Sequence, residues 1–454
     1  MTIKLTDDLK KIASILDTNG FCCYLVGGAV RNQLLGLEEK DYDLATDAYP
    51  EDIMKIFNKV IPTGIKHGTV TILFKREAYE ITTFRVDGKY SDGRRPDSIE
   101  FTSNIYEDLK RRDFTINSIA YDILREEMID PNNGLFDLKK KTIKAIGDPH
   151  KRFQEDGLRP LRACRFAAQL NFEIDKDTFQ AISKNIEKFK NVSKERIYDE
   201  LVKTMKADKP SITMNLLYDS GLLAVISDDI VKCKGITQRE RHNFDVFDHI
   251  LYTCDHCPKE SIILRFAGLF HDIGKVSVME IKDDGTPTFY HHENVSAKLA
   301  EKLMKKLKFP NRDIGKICHL IKNHMFYYEK NWTDAAIRRF IARVGVDSID
   351  DLLILQKADL ASMTNHNESL TLLNEFEKRI SKIMNEENAF TIKDLKIDGN
   401  ILKTDLQIPQ GKLMGQILSI LLEIVLENPE KNEVNMLKNA AKEIYLKLSG
   451  VSEK

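Results

Sequence analysis

The 454-residue chain has room for roughly three ordinary domains, and its 31% charged and 42% hydrophobic residues are a globular balance. A formal net charge of −1 excludes a global basic field, so any nucleic-acid contact must come from local Lys/Arg faces. No run approaches the ~18 apolar residues that span a bilayer, residues 1–16 lack a signal-peptide core, and seven cysteines are too few for a disulfide scaffold and fit a reducing cytoplasm.

Residues 20–147 alternate short β-rich runs with helical stretches, and runs 21–26, 69–74 and 78–83 read as strands. Val26-Gly27-Gly28-Ala29-Val30-Arg31 lies between a predicted strand and a predicted helix. Paired glycines let backbone approach a ligand, the helix N-terminus favours an anion, and Arg31 offers a fork for phosphate oxygens. Asp41-Tyr42-Asp43 follows. On a strand these two carboxylates share one face, where a divalent cation such as Mg²⁺ relieves their repulsion. D-x-D is common in polar loops, and the glycine turn just upstream favours the metal reading. Glu80 is either a third acidic ligand or an outward-facing strand residue.

From residue 148 strand signals fade, and 153–170, 193–205 and 211–223 carry apolar residues at helical spacing. Asp156 and Arg159 are expected on adjacent turns of one helix face. Pro160 fits if that helix begins near Asp156, which puts the proline in its first turn. Lys184, Lys188, Lys190 and Lys194 form either an RNA-facing or a solvated surface. Segment 242–380 reads as helical with short loops, and 414–426 as a strongly apolar helix. Cys254-Asp255-His256-Cys257 is a lone C-x-x-C, read as two ordinary thiols on a helix.

Two further motifs are Lys110-Arg111-Arg112-Asp113-Phe114-Thr115-Ile116-Asn117-Ser118 and the run from Glu155-Asp156-Gly157-Leu158-Arg159-Pro160-Leu161-Arg162 to Arg165. With Gly-Gly-Ala-Val-Arg and Asp-Tyr-Asp, they resemble the class II tRNA nucleotidyltransferase and poly(A) polymerase family, the CCA-adding enzymes. The resemblance implies a polymerase-β-like α/β head at 1–147, an all-helical neck at 148–235, a helical body at 236–381 and a helical tail at 382–454. By match, Gly28, Arg31 and Arg112 would contact a nucleoside triphosphate, and Asp41 and Asp43 would bind Mg²⁺. Asp156, Arg159, Arg162 and Arg165 would complete the pocket. Cytosine and adenine both present an amino donor beside a ring-nitrogen acceptor, so one carboxylate and one guanidinium can select them over uracil and guanine. Asn32 departs from the family's usual Asp, and Ser118 from its usual Ala. The glycine-rich loop 85–96 resembles the family's flexible loop and argues against a CC-only enzyme. The expected partners are tRNA, CTP and ATP, with no membrane. A-only addition, a poly(A) polymerase and a non-catalytic RNA or nucleotide sensor are the alternatives.

In the body, His249, the adjacent His271-Asp272 and distant Asp359 resemble the primary metal set of the HD phosphohydrolase superfamily. His292 and His324 would add a second metal, with His291 the alternative to His292. Mixed imidazole and carboxylate donors suit Mn²⁺, Fe²⁺, Ni²⁺ or Zn²⁺. Such a site either hydrolyses a phosphate ester or nucleotide, or holds a metal or nucleotide without turnover.

Overall fold

A computed structural model describes residues 3–37, 42–88, 99–238, 244–363, 367–386 and 389–449. Contacts divide the chain into two compact units, Met1–Val231 with Lys306–Phe309 and Lys232–Lys305 with Pro310–Lys454.

The first unit begins with the helix Asp7–Thr18, whose Leu9, Ile12, Ala13 and Leu16 are buried at helical spacing. The strands β1 (Tyr24–Val26), β2 (Asp43–Thr46), β3 (Val60–Gly64), β4 (Thr69–Phe74) and β5 (Glu77–Thr83) follow. A separate hairpin, β6 (Arg85–Asp87) with β7 (Ile99–Phe101), precedes β8 (Ala120–Asp122) and β9 (Glu127–Ile129). Seven of them form one sheet in the order β3-β4-β5-β2-β1-β8-β9. Within it β2 and β5 run parallel, with Asp43 opposite Glu80, while β1 runs antiparallel to both β2 and β8. Tyr24, Val26, Ala45, Phe84, Leu109 and Ala120 share the core that fixes this end of the sheet.

The run 21–26 pairs as a strand only from Tyr24. Upstream, side chains replace the ladder: Cys22 N donates to Asp47 Oδ1 at 2.9 Å, and Thr46 Oγ1 donates to Cys22 O at 2.6 Å.

The region expected to form a neck also departs from its apolar periodicity. Residues 153–170 are two helices, Pro149–Glu155 and Arg159–Leu170, so Asp156 and Arg159 do not share a helix face. The break falls at Gly157, where a Cβ would lie 2.6 Å from the Lys188 carbonyl oxygen. Backbone packing overrides the apolar periodicity there. Pro160 sits in the first turn of its helix as expected, where no intrahelical N–H is lost. The run 211–223 is likewise divided, into Pro210–Asp219 and Leu222–Ile226, by Gly221 at φ 80°.

The second unit is almost wholly helical. Val246–His256, Ile262–Phe270, His292–Lys306, Asn311–Asn323 and Val346–Ala361 carry the clustered histidines and aspartates or border on them. Cys254 and Cys257 are buried and not joined in a disulfide, and burial pushes Cys257 up to about 12, which suits inert packing. Further along, Ile417, Leu421 and Val425 of the helix Lys412–Glu427 pack with Leu437 and Ala441 in a separate core.

Candidate active site and metal centre

Gly27 ends the turn after β1 at φ 68°, a conformation that favours glycine. A Cβ there would lie 3.0 Å from Arg112 Nη1 and 3.7 Å from Asp43 Oδ2, so its absence opens a cradle between a guanidinium and a carboxylate. Gly28 then starts the helix Gly28–Leu34, whose buried Arg31 donates to Asn117 Oδ1 and, through Nε and Nη2, to Asn32 Oδ1. Asn32 thus helps to order the turn through its amide oxygen.

Asp43 opens β2 with its side chain exposed, beside Glu80 in register. Residues opposite one another on adjacent strands face the same side of the sheet, and two like charges there repel unless a cation intervenes. Asp41 lies outside the described residues. Glu80 is exposed on β5 and does not line the cleft itself.

That cleft, about 580 Å³, is lined by eight arginines and one lysine against three aspartates, Asp43, Asp113 and Asp156. Gly28, Arg31, Asp43, Arg112, Asp156, Arg159, Arg162 and Arg165 all face it. Such an excess of fixed cations suits a polyanion such as a triphosphate. Arg112 is anchored to Asp108 at 3.3 Å, and its buried Nε has no hydrogen-bond partner. Arg162 Nε and Nη2 both grip Asp113 Oδ2, at 2.8 and 2.7 Å. Burial would raise the Asp113 carboxyl, but Arg162, the Asn117 amide and Arg159 outweigh it and hold the group well below the carboxylate range. Arg165 donates to Glu200 at 2.5 Å and lies 3.9 Å over the Phe166 ring.

Asp156 and Arg159 face the same cleft from the break between two helices, each held by other groups. Arg196 clamps Asp156 with two hydrogen bonds, 3.1 Å to Oδ1 and 2.7 Å to Oδ2. Arg159 is tied by Nη1 to Glu155 at 2.6 Å and to the Arg152 carbonyl at 3.0 Å, and by Nη2 to the Arg111 carbonyl at 3.0 Å.

In the second unit six buried side chains converge: His249, His271, Asp272, His292, His324 and Asp359. Asp272 is shared by two groups of potential ligands, with His249 and His271 and with His292 and His324. Asp272 Oδ2 lies 3.2 Å from both His249 Nε2 and His271 Nε2, and Oδ1 lies 3.0 Å from His292 Nε2 and 3.7 Å from His324 Nε2. Asp359 Oδ1 stands 3.0 Å from His249 Nε2. Every Nδ1 is engaged outward, on the Gly268, Phe289 and Ile321 carbonyls and on Ser362 Oγ. Outer partners of this kind fix ring orientation in metal sites.

Asp272 Oδ1, His292 Nε2 and Asp359 Oδ1 are buried without an aligned hydrogen bond, so the donor set fits a cation better than it fits itself. Burial would lower His271, but Asp272 and Asp359 outweigh it and push it up to about 10. Lys275 Nζ reaches Asp272 Oδ2 at 2.5 Å and Gln238 Oε1 at 2.6 Å. His291, by contrast, is 87% exposed and points away from such a role.

Family models match along the chain in the same order. A poly A polymerase head domain covers residues 23–144, a probable RNA- and SrmB-binding site of polymerase A covers 171–232, and an HD domain covers 239–364. The CCA-adding enzyme of Ligilactobacillus salivarius (strain UCC118) is 33% identical over 446 residues, 96% of this chain and 97% of that protein. The chain belongs to the CCA-adding enzyme family.

The family member of Enterococcus faecalis (strain ATCC 700802 / V583) is 30% identical over 447 residues, 97% of this chain and 98% of its own. The Bacillus stearothermophilus CCA-adding enzyme, solved in complex with CTP, superposes with a TM-score of 0.74 at 26% identity, covering 98% of each chain. This CCA-adding enzyme is therefore a tRNA nucleotidyltransferase, and its head and HD domain both imply divalent-metal use. No helix among the described residues is long and apolar enough to cross a membrane.

Several groups at the cleft escaped the sequence reading. Asp113 and Asn117 lie inside the run 110–118, where nothing in the local pattern separates them from ordinary turn residues. Arg196 and Glu200 sit four residues apart on the helix Lys194–Met205, where an i, i+4 pair of charges reads as a solvated face. Only the fold turns that face inward.

Proposed function

We propose that this CCA-adding enzyme builds the CCA end of tRNA from CTP and ATP without a template, the RNA 3′ hydroxyl displacing pyrophosphate from the α-phosphorus of each nucleotide. The observation that carries the reading is Asp43 beside the Gly27 cradle, in the same arginine-lined cleft as Asp156 and Arg159. Asp41, Asp43 and, in register, Glu80 would hold Mg²⁺, which when bound supplies charge neutralisation at the triphosphate and acidifies the attacking hydroxyl. Gly28, Arg31 and Arg112 would hold phosphate oxygens, with Arg162 and Arg165 completing that cationic wall. Asp156 would accept the amino hydrogen of C or A while Arg159 donates to the ring nitrogen, a pattern that U and G invert.

The domain division proposed is head 1–147, neck 148–235, HD-type body 236–381 and tail 382–454, with neck and tail meeting tRNA mainly through phosphates and shape. A cytoplasmic location follows from its substrates. The deciding assay supplies tRNA lacking CCA with CTP and ATP, singly and together. CTP alone should add two residues, and both together should add three. Long poly(A) from ATP alone would favour a polymerase instead and defeat this reading.

His249, His271, Asp272 and Asp359 would hold one divalent transition metal (Mn²⁺, Fe²⁺, Ni²⁺ or Zn²⁺), and Asp272 with His292 and His324 a second. Alanine at His271 or Asp272 is expected to strip most bound metal, read by elemental analysis, while nucleotide addition stays within about twofold of wild type. A folded variant that also lost addition would show that the two centres are coupled.

A further inference from the structure

We propose that Arg196 is a positioning residue for nucleobase selection, acting through Asp156; this rests on the reading that Asp156 and Arg159 recognise the base. A carboxylate offers about four lone-pair sites, two on each oxygen. Asp156 Oδ1 accepts from Leu158 N at 3.0 Å and from Arg196 Nη1 at 3.1 Å, which fills it. Oδ2 accepts from Arg196 Nη2 alone, at 2.7 Å. One acceptor site remains, on Oδ2, and its direction is set by the plane in which Arg196 holds the carboxylate.

The same count applied to Arg159 leaves few choices. Of its five N–H groups, both on Nη1 and one on Nη2 are engaged by Glu155 and by the Arg152 and Arg111 carbonyls. The second Nη2 proton and the Nε proton remain for a ring nitrogen. The pair therefore presents one fixed acceptor and a fixed donor edge, the complement of an amino group beside an unprotonated ring nitrogen. If Asp156 could rotate, it could also accept the ring N–H of uracil or guanine, and the discrimination would weaken.

Arg196 is well placed to prevent that rotation, because a two-pronged guanidinium fixes a plane whereas a single donor would act as a pivot. Its own helix is anchored one turn on, where buried Glu200 binds Arg165 at 2.5 Å. One helix face thus backs both the base-reading carboxylate and the arginine wall.

The test compares kcat/KM for CTP and for UTP on tRNA lacking CCA, in wild type, Arg196→Gln, Arg196→Lys and Asp156→Ala. The ratio is independent of the fraction of active protein, so partial misfolding does not obscure it. In Arg196→Gln the CTP-over-UTP ratio is expected to fall by about tenfold or more, since a poorly oriented group loses selective contact. Arg196→Lys, which keeps the charge but not the fork, should recover only part of that loss. A ratio in Arg196→Gln equal to wild type, whether or not both rates fall together, would overturn the proposal and leave Arg196 a structural ion pair. An unchanged ratio in Asp156→Ala would instead sink the base-reading assignment itself. A collapsed ratio there with an intact one in Arg196→Gln would overturn only the role of Arg196.

Discussion

Replacing Asp43 by Asn is expected to lower nucleotide addition by about 10³-fold, equivalent to roughly 4 kcal/mol of lost transition-state stabilisation, with little change in melting temperature. The asymmetry follows from where Asp43 sits. Its side chain is exposed at the first position of β2, so it contributes nothing to the sheet core, and the isosteric amide preserves local backbone pairing. What the substitution removes is an anionic oxygen beside the Gly27 cradle, in a cleft whose other charges are overwhelmingly positive. An amide oxygen is a far weaker ligand for a hard divalent cation than a carboxylate. Glu80→Gln then separates the two readings of its strand neighbour. A comparable loss marks Glu80 as a third ligand, whereas wild-type rates mark it as an outward-facing strand residue. The measurement is single-turnover CMP addition at saturating CTP, with folding checked by circular dichroism. Near-normal addition by folded Asp43→Asn would remove the foundation of the proposed chemistry.

Much of this site was legible before any coordinates because its residues come in short runs with distinctive local chemistry. Gly27-Gly28 before a helix, Asp43 at the start of a strand and the adjacent His271-Asp272 each carry their signal within a few residues. The helix break at Gly157 was not legible. It depends on the Lys188 backbone, about thirty residues away, pressing where a side chain would stand, and nothing in the apolar spacing of 153–170 reports that approach. The same limit hid Arg196 and Glu200. Charged residues at i and i+4 look alike whether they face water or a buried partner, and the partners lie 35 to 40 residues distant. In the second unit the opposite held. Six metal-type donors scattered over more than a hundred positions were legible as a set, because histidine is rare here, with 11 in 454 residues, and the pattern keeps its order. Of the adjacent His291 and His292, the motif pattern favours His292, and burial agrees.

Glu200 carries the largest expected effect on stability. It is 2% exposed and receives Arg165 at 2.5 Å, Lys203 at 3.2 Å and Arg162 at 3.5 Å. Glu200→Ala would leave the buried Arg165 without its carboxylate, and breaking a buried pair by removing one partner costs about 3–5 kcal/mol. Urea unfolding, followed in the transition that also abolishes nucleotide addition, should register that loss. The pH dependence gives an independent check. Burial would raise the Glu200 carboxyl, but Arg165, Arg162 and Lys203 outweigh it and lower it, and Asp113 is depressed in the same way by Arg162. Because both folded-state values lie below the unfolded ones, at about 4, their contribution is fully present above that pH. It is lost as pH falls toward the folded values. Wild type should therefore lose stability steeply below about pH 4, and Glu200→Gln, which has one fewer such carboxylate to protonate, should start lower and fall less steeply. Parallel curves for the two proteins would mean that Glu200 is not held ionised by this network, and that the arginines of the cleft are positioned by something else.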